Sequence, residues 1–201
     1  MNEFITIANF IGVIAFAASG AFKGFKYKLD ILGIIVLAVV TAVGGGIIRD
    51  TILNRIPFVL YRTQDIYVAI IVAVVLYLVT KKTDIENKYN AKLLILDAVG
   101  LSVFTIIGAR VAISANMSII SIAIISTITG VGGGVLRDML SNEIPIVLKE
   151  DIYAILCFFG SIFYVFFIKI INNEFISSTI IFCVILSIRI IVIKYKLNLP
   201  K

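Results

Sequence analysis

The chain has 201 residues, 61% of them apolar and 15% charged, with a net charge of +6 and a mean hydropathy of +1.12. An average soluble domain carries roughly 25% charged residues. This composition excludes a soluble globular protein, a disordered chain and a secreted disulfide scaffold, and its apolar stretches of about 20 residues read as membrane-spanning helices.

Seven stretches follow in chain order: Phe4–Phe22, Ile31–Leu53, Ile66–Thr80, Leu93–Ala109, Met117–Leu140, Ile152–Ile171 and Phe175–Ile193. They predict an all-α integral membrane protein, one domain over residues 1–201. The first has no basic segment before it and no small-residue cleavage site after it, so it reads as a retained span. His and Trp are absent. Without His the usual general base and the commonest metal ligand are missing. No enzyme activity, metal centre or cofactor is expected. Cys157 and Cys183 sit in apolar runs without metal-ligand spacing and read as buried free thiols.

The basic residues gather at span ends and not on one soluble face, which argues against nucleic acid. One face of the membrane receives Lys23, Lys26, Lys28, Lys81, Lys82, Lys88, Lys92, Lys149, Lys194, Lys196 and Lys201. The other receives Arg55, Arg62, Arg110 and Lys169, while Arg49, Arg137 and Arg189 lie within spans. Basic residues mark the cytoplasmic side, so the N-terminus is expected outside the cell membrane and the C-terminus inside. Arg189, near the end of the last span, is expected to snorkel to the interface.

A shift of 88 residues lays Thr41–Pro57 on Thr129–Pro145 with ten of seventeen positions identical, including Gly44-Gly45-Gly46-x-x-Arg49-Asp50 on Gly132-Gly133-Gly134-x-x-Arg137-Asp138. Gly12, Phe16, Gly20 and Ala21 meet Gly100, Phe104, Gly108 and Ala109 at the same shift. Downstream, Asp65-Ile-Tyr resembles Asp151-Ile-Tyr after a two-residue deletion. The repeats are placed at about 5–80 and 92–168, with a seventh span at about 175–193 outside them. Each repeat holds three spans, an odd number, so the second copy is expected upside down, an arrangement that places transport sites at the repeat interface.

The Gly triplets fall inside the second and fifth spans. Glycine costs a helix roughly 1 kcal/mol per residue relative to Ala, so both helices are expected to break there and expose backbone groups to a cavity. Close helix packing is the competing use of such glycines. Counted at the helical rise of about 1.5 Å, the breaks fall on opposite sides of the midplane and bracket a polar constriction. Arg49-Asp50 then faces an outer vestibule and Arg137-Asp138 an inner one. An Arg within a span is costly and calls for a carboxylate partner, in a pore or in a structural clasp. Ser19, Thr41, Thr105, Thr127 and Thr129 either line a polar path or bond their own helix backbone. Asp97 is either a pore carboxylate or a cap, and its equivalent is Asn9. Pro57 and Pro145 serve turns.

The paired GGGxxRD motif, the 3+3+1 span count and the N-out orientation resemble the prokaryotic branch of the trimeric intracellular cation (TRIC) channel family, which overlaps the UPF0126 or glycine transporter group. The resemblance covers the whole chain. It implies a homotrimer with one pore per protomer, conducting monovalent cations, chiefly K⁺. By match to the motifs, Gly44–Gly46 and Gly132–Gly134 shape that pore, and Arg49, Asp50, Arg137 and Asp138 sit beside it. The alternative is a carrier of glycine or another small zwitterion, with Arg for the carboxylate and Asp for the ammonium. Membrane lipids complete the expected partners.

Overall fold

The computed structural model describes residues 3–80, 89–150 and 152–197. Lys81, Lys82, Lys88, Asp151 and Lys201 lie outside the described residues. The elements are α1 (Glu3–Lys26), α2 (Ile31–Ile52), α3 (Phe58–Tyr61), α4 (Gln64–Thr80), α5 (Tyr89–Ser114), α6 (Ile119–Leu140), α7 (Ile146–Lys149), α8 (Ala154–Ile171) and α9 (Glu174–Tyr195). Six are long and apolar enough to cross a membrane, and α4 is a shorter apolar helix of 17 residues.

Helix starts and stops follow from the residues at the ends. Asp30 caps α2 by accepting from the Gly33 amide, and Ser118, 88 positions later, caps α6 by accepting from Ser121. The turns entering α2 and α6 carry left-handed Lys28 and Asn116, and those leaving them left-handed Asn54 and Asn142. Asn tolerates that conformation better than most residues. Pro57 and Pro145 start the four-residue helices α3 and α7.

The centre is a four-helix arrangement in which α1 packs on α5 and α2, and α6 packs on α2 and α5. α4 covers α1 and α2, α8 covers α5 and α6, and α9 lies on α5 and α8. Phe16 and Phe104 stack at the middle with ring centroids 5.2 Å apart. The outer faces carry exposed apolar side chains such as Ile7, Leu32, Leu78 and Ile170, a surface suited to lipid.

Three expectations fail. α2 and α6 are each continuous α-helices through their Gly triplets, not broken ones. In lipid an interrupted backbone needs new partners for every freed group, whereas a continuous helix keeps its own. The glycines serve close approach: a β-carbon on Gly45 would overlap the Thr129 carbonyl oxygen, and one on Gly133 the Thr41 carbonyl oxygen. The two motifs therefore meet at one helix crossing and do not bracket a constriction. Cys157 is buried, but Cys183 is exposed on the apolar flank of α9. A small apolar thiol carries little penalty there.

Candidate functional site

Polar side chains collect on two sides of the crossing. At the lysine-rich end, where α1 and α6 finish, Arg137 is fully buried. Its Nε donates to Asp138 Oδ1 at 3.0 Å, and its Nη1 donates to Asp97 Oδ1 and to Ser19 Oγ, each at 2.6 Å. Tyr153 donates to the other Asp97 oxygen at 2.7 Å. Asp138 Oδ2 also accepts the Ile146 amide at the start of α7. Lys23, buried although basic, places Nζ 2.8 Å from Asp138 Oδ1 and 3.1 Å from Glu143 Oε2. Glu143 further pairs with Lys26 at 2.7 Å and accepts from the Tyr27 hydroxyl. Partial burial pushes the Glu143 carboxyl up, but the donors Lys26, Tyr27 and Lys23 outweigh it and hold its pKa at about 2. The hydrogen bond to Glu143, with burial, raises the Tyr27 phenol to about 12. The network is compact and satisfied, which is how a low-dielectric interior tolerates charge.

At the opposite end the same framework stands open. A cavity of about 390 Å³ is lined by Asn9, Gly46, Arg49, Asp50, Arg55, Asp65, Phe104, Ile107, Arg110 and Val111, among others. Arg49 Nε donates to Asp50 Oδ1 at 2.7 Å, and Asp50 Oδ2 accepts the Phe58 amide at 2.8 Å. Asn9 donates to Asp65 at 2.9 Å. Arg110 pairs with Glu174 at 2.8 Å.

Position by position, the closed network and the open cavity correspond at the shift of 88. Arg49-Asp50 and Arg137-Asp138 make the same internal pair, and Phe58 and Ile146 donate the same amide. Asn9–Asp65 and Asp97–Tyr153 are both hydrogen-bonded pairs 56 residues apart. The difference lies in the fillers. Ser19 corresponds to Ile107 and Lys23 to Val111. A β-carbon on Gly134 would meet Tyr153 Oη at 3.1 Å and Asp97 Oδ1 at 3.3 Å. One on Gly46 would find nothing nearer than Arg49 Nη2, at 3.9 Å.

The structure places the ten residues that the sequence singled out in three adjoining groups. Gly44, Gly45, Gly132 and Gly133 lie at the crossing, with Gly44 against Leu136 and Gly132 against Gly45. Gly46, Arg49 and Asp50 border the cavity, and Gly134, Arg137 and Asp138 border the closed network. Thr41, Thr105, Thr127 and Thr129 bond carbonyls of their own helices. Ser19 instead joins the network, and Asp97, well inside α5, is a network carboxylate and not a cap. Sequence reasoning missed Lys23, Tyr153, Glu143 and Asp65. The signal for Lys23 was its apolar counterpart Val111, and for Tyr153 its place in the repeated Asp-Ile-Tyr. Arg189 does not snorkel: it is fully buried, donating to Ile152 O at 2.7 Å and Glu150 Oε2 at 2.9 Å. Among the described residues no group of three His, Cys, Asp or Glu side chains could hold a metal ion.

A family model described as glycine transporter matches residues 6–82 and 94–169. The UPF0126 inner membrane protein YadS of Escherichia coli (strain K12) is 36% identical over 198 residues, covering 96% of this chain and 93% of that protein. A prokaryotic TRIC channel crystallised in 0.5 M KCl superposes with a TM-score of 0.91 at 36% identity, covering 99% of this chain and 100% of that one. The TRIC trimeric intracellular cation channel orthologue from Rhodobacter sphaeroides gives 0.89 at 27% identity, over 98% and 100%.

Proposed function

This chain belongs to the UPF0126 membrane-protein family, the family of the glycine-transporter model and of the prokaryotic TRIC channels, and on that premise we propose that it is a cation channel selective for monovalent ions, chiefly K⁺. The observation that carries the proposal is the pairing of an open, charge-lined cavity at one end of the bundle with a matching ionic network at the other. A path that is open on one side and latched on the other is what a gated pore requires in its closed state.

In this reading the chain is one membrane domain of seven crossing helices. α1, α2 and α4 form one repeat, α5, α6 and α8 an inverted second, and α9 stands outside both. Equal caps, turns and ion pairs at positions 88 apart support it. The lysine-rich end is cytoplasmic and the N-terminus is outside. Ions descend from the outer cavity past Gly46, Arg49 and Asp50, pass the stacked Phe16 and Phe104, and reach Gly134, Arg137 and Asp138. Gly44, Gly45, Gly132 and Gly133 fix the crossing that shapes this path. Each Arg has its charge offset by the adjacent Asp, so the path is not closed to cations. Asp65 adds a carboxylate to the outer cavity. The assembly is a homotrimer in lipid, one pore per protomer, as the name of the Rhodobacter sphaeroides relative says of that protein. The chain is read as a transport protein and not an enzyme.

The second reading is a carrier of glycine or another small zwitterion. The family model's description favours it, and Arg49 with Asp65 in one cavity offers a cation and a carboxylate. The continuous helices remove the half-helix ends that such carriers use to hold a carboxylate. The deciding experiment is flux in proteoliposomes, with K⁺ and labelled glycine measured side by side. K⁺ flux without glycine uptake is expected. Saturable glycine uptake without K⁺ conductance would replace the channel with the carrier.

A further inference from the structure

The six helices α1, α2, α4, α5, α6 and α8 correspond in threes, and α9 has no counterpart. It packs chiefly on α5 and α8, two helices of the second repeat. That repeat supplies Asp97, Arg137, Asp138 and Tyr153 to the closed site, while α1 supplies Ser19 and Lys23. The contact is specific. Arg189 of α9 sets its guanidinium carbon 4.7 Å from the centroid of the Tyr153 ring. Its Nη1 holds the carbonyl of Ile152, the residue before Tyr153, and its Nη2 holds Glu150. Its Nε is buried without a partner. A buried guanidinium with one unsatisfied N–H is costly, so a structural bolt alone is a poor use of the residue.

From Tyr153 the chain of contacts continues to the centre. Tyr153 Oη donates to Asp97, Asp97 accepts from Arg137, and Arg137 pairs with Asp138, where Lys23 is seated. Every side chain from Arg189 to Lys23 along this route is buried. Asp65, bonded to Asn9 much as Tyr153 is bonded to Asp97, lines the open cavity, which α9 touches through its first residue, Glu174, paired with Arg110.

We propose that Arg189 is a positioning residue for the gate: through Tyr153 and Asp97 it holds Arg137 in the closed arrangement, and movement of α9 releases it. The seventh helix is then the element that makes two similar halves behave differently, and a control surface for the pore. Cation–π contact and hydrogen bonds from two separate guanidinium nitrogens fit Arg for this task better than Lys.

The test uses the full-length protein in proteoliposomes with Arg189→Met, Tyr153→Phe and the double substitution. Two readouts are taken. One is K⁺ channel open probability, which rests on the channel reading. The other is the rate at which a charged thiol reagent, applied from the lysine-rich side, modifies a Ser19→Cys reporter, which does not. The background is the same protein without the reporter. Arg189→Met is expected to raise the modification rate about tenfold, within the usual range of coupling between sites. Tyr153→Phe should act in the same direction, and the double substitution should exceed neither by much. Arg189→Lys should restore part of the protection. Equal rates in folded Arg189→Met and unsubstituted protein would overturn the proposal, as would effects that multiply in the double variant. If Arg189→Met fails to assemble, Glu150→Gln replaces it, with a smaller rise expected and no rise overturning the proposal. Altered reactivity without K⁺ current in any variant would sink the channel reading and leave the coupling standing.

Discussion

Lys23 Nζ lies 2.8 Å from Asp138 Oδ1, joining the end of α1 to the end of α6 across 115 residues of sequence. The ammonium occupies the mouth of the closed site at the distance a permeant cation would take from that carboxylate. Replacing Lys23 with Met should remove the tethered charge while keeping the stem's bulk. Asp138 keeps Arg137 as a partner, so the loss of stability should be limited to roughly 1–3 kcal/mol, the cost of one buried hydrogen-bonding partner. Resting K⁺ flux through proteoliposomes should rise severalfold. Unchanged flux in a protein that still assembles would remove Lys23 from the gate.

The last two glycines of the first triplet should respond in opposite ways. A side chain on Gly45 overlaps the Thr129 carbonyl, so Gly45→Ala must push α2 and α6 apart. Overpacking of this kind costs roughly 1–3 kcal/mol, and more where the obstacle is backbone. A β-carbon on Gly46 meets open space, so Gly46→Ala should stabilise the helix by roughly 0.5–1 kcal/mol through its better propensity. Thermal denaturation in detergent separates the two. Equal destabilisation at both positions would contradict the crossing described above.

The latch around Glu143 should be insensitive to ordinary changes of pH. Its carboxyl is held at about 2, below its ordinary 4.5, by donors that outweigh the effect of burial. A depressed carboxyl contributes stability above its unfolded value and loses it as pH falls from about 4.5 toward 2. Tyr27, raised from 10.0 to about 12, contributes below pH 10 and loses its contribution as pH rises through about 12. Resting K⁺ leak should therefore stay flat from about pH 5 to about pH 9 on the lysine-rich side. Glu143→Gln should leak more across that range, and the unsubstituted protein should approach it only in strong acid. A steep rise in leak near neutral pH would mean that another group holds the latch.

The spans were legible because apolar length is a direct physical requirement of lipid. Ile31 and Leu140 bound helices at the positions where the sequence places span ends. The function of the Gly triplets was not, because a triplet is equally suited to a break and to a close crossing. Only the partner helix decides, and Thr129 and Gly133 lie more than eighty residues from Gly45. Arg49-Asp50 and Arg137-Asp138 were legible as pairs because an uncompensated Arg in a span is too costly to leave alone. Arg189 was misread for a related reason: its partners Ile152 and Glu150 are 37 and 39 residues away, on the far side of α8. Lys23 was counted as a topology marker, since a lysine at a span end serves that role in most membrane proteins. The repeat held the missing information for Lys23, since it sets that lysine opposite Val111.

That correspondence yields the most stringent expectation. Val111 borders the open cavity at the position that Lys23 holds in the closed network. Asp50 lines the same cavity as Val111, and Asp50 and Asp138 are each already paired with the preceding Arg and a backbone amide. A lysine at 111 should therefore reach Asp50 and seat its ammonium in the outer cavity. One feature of the closed end is missing there, since Glu143 corresponds to Arg55. Val111→Lys alone places its charge near Arg49 and Arg55 and should close the cavity only partly. Val111→Lys with Arg55→Glu supplies both the plug and its second carboxylate. In the Lys23→Met background, where resting K⁺ flux is expected to be raised, Val111→Lys should lower that flux and the addition of Arg55→Glu should lower it further. The result would be a channel latched at the outer end instead of the inner one. A structure of the triple variant should show the ammonium of residue 111 between residues 50 and 55. If flux in the Lys23→Met background is untouched by either addition, the outer cavity is not in the ion path, and the correspondence between the two ends is geometric only.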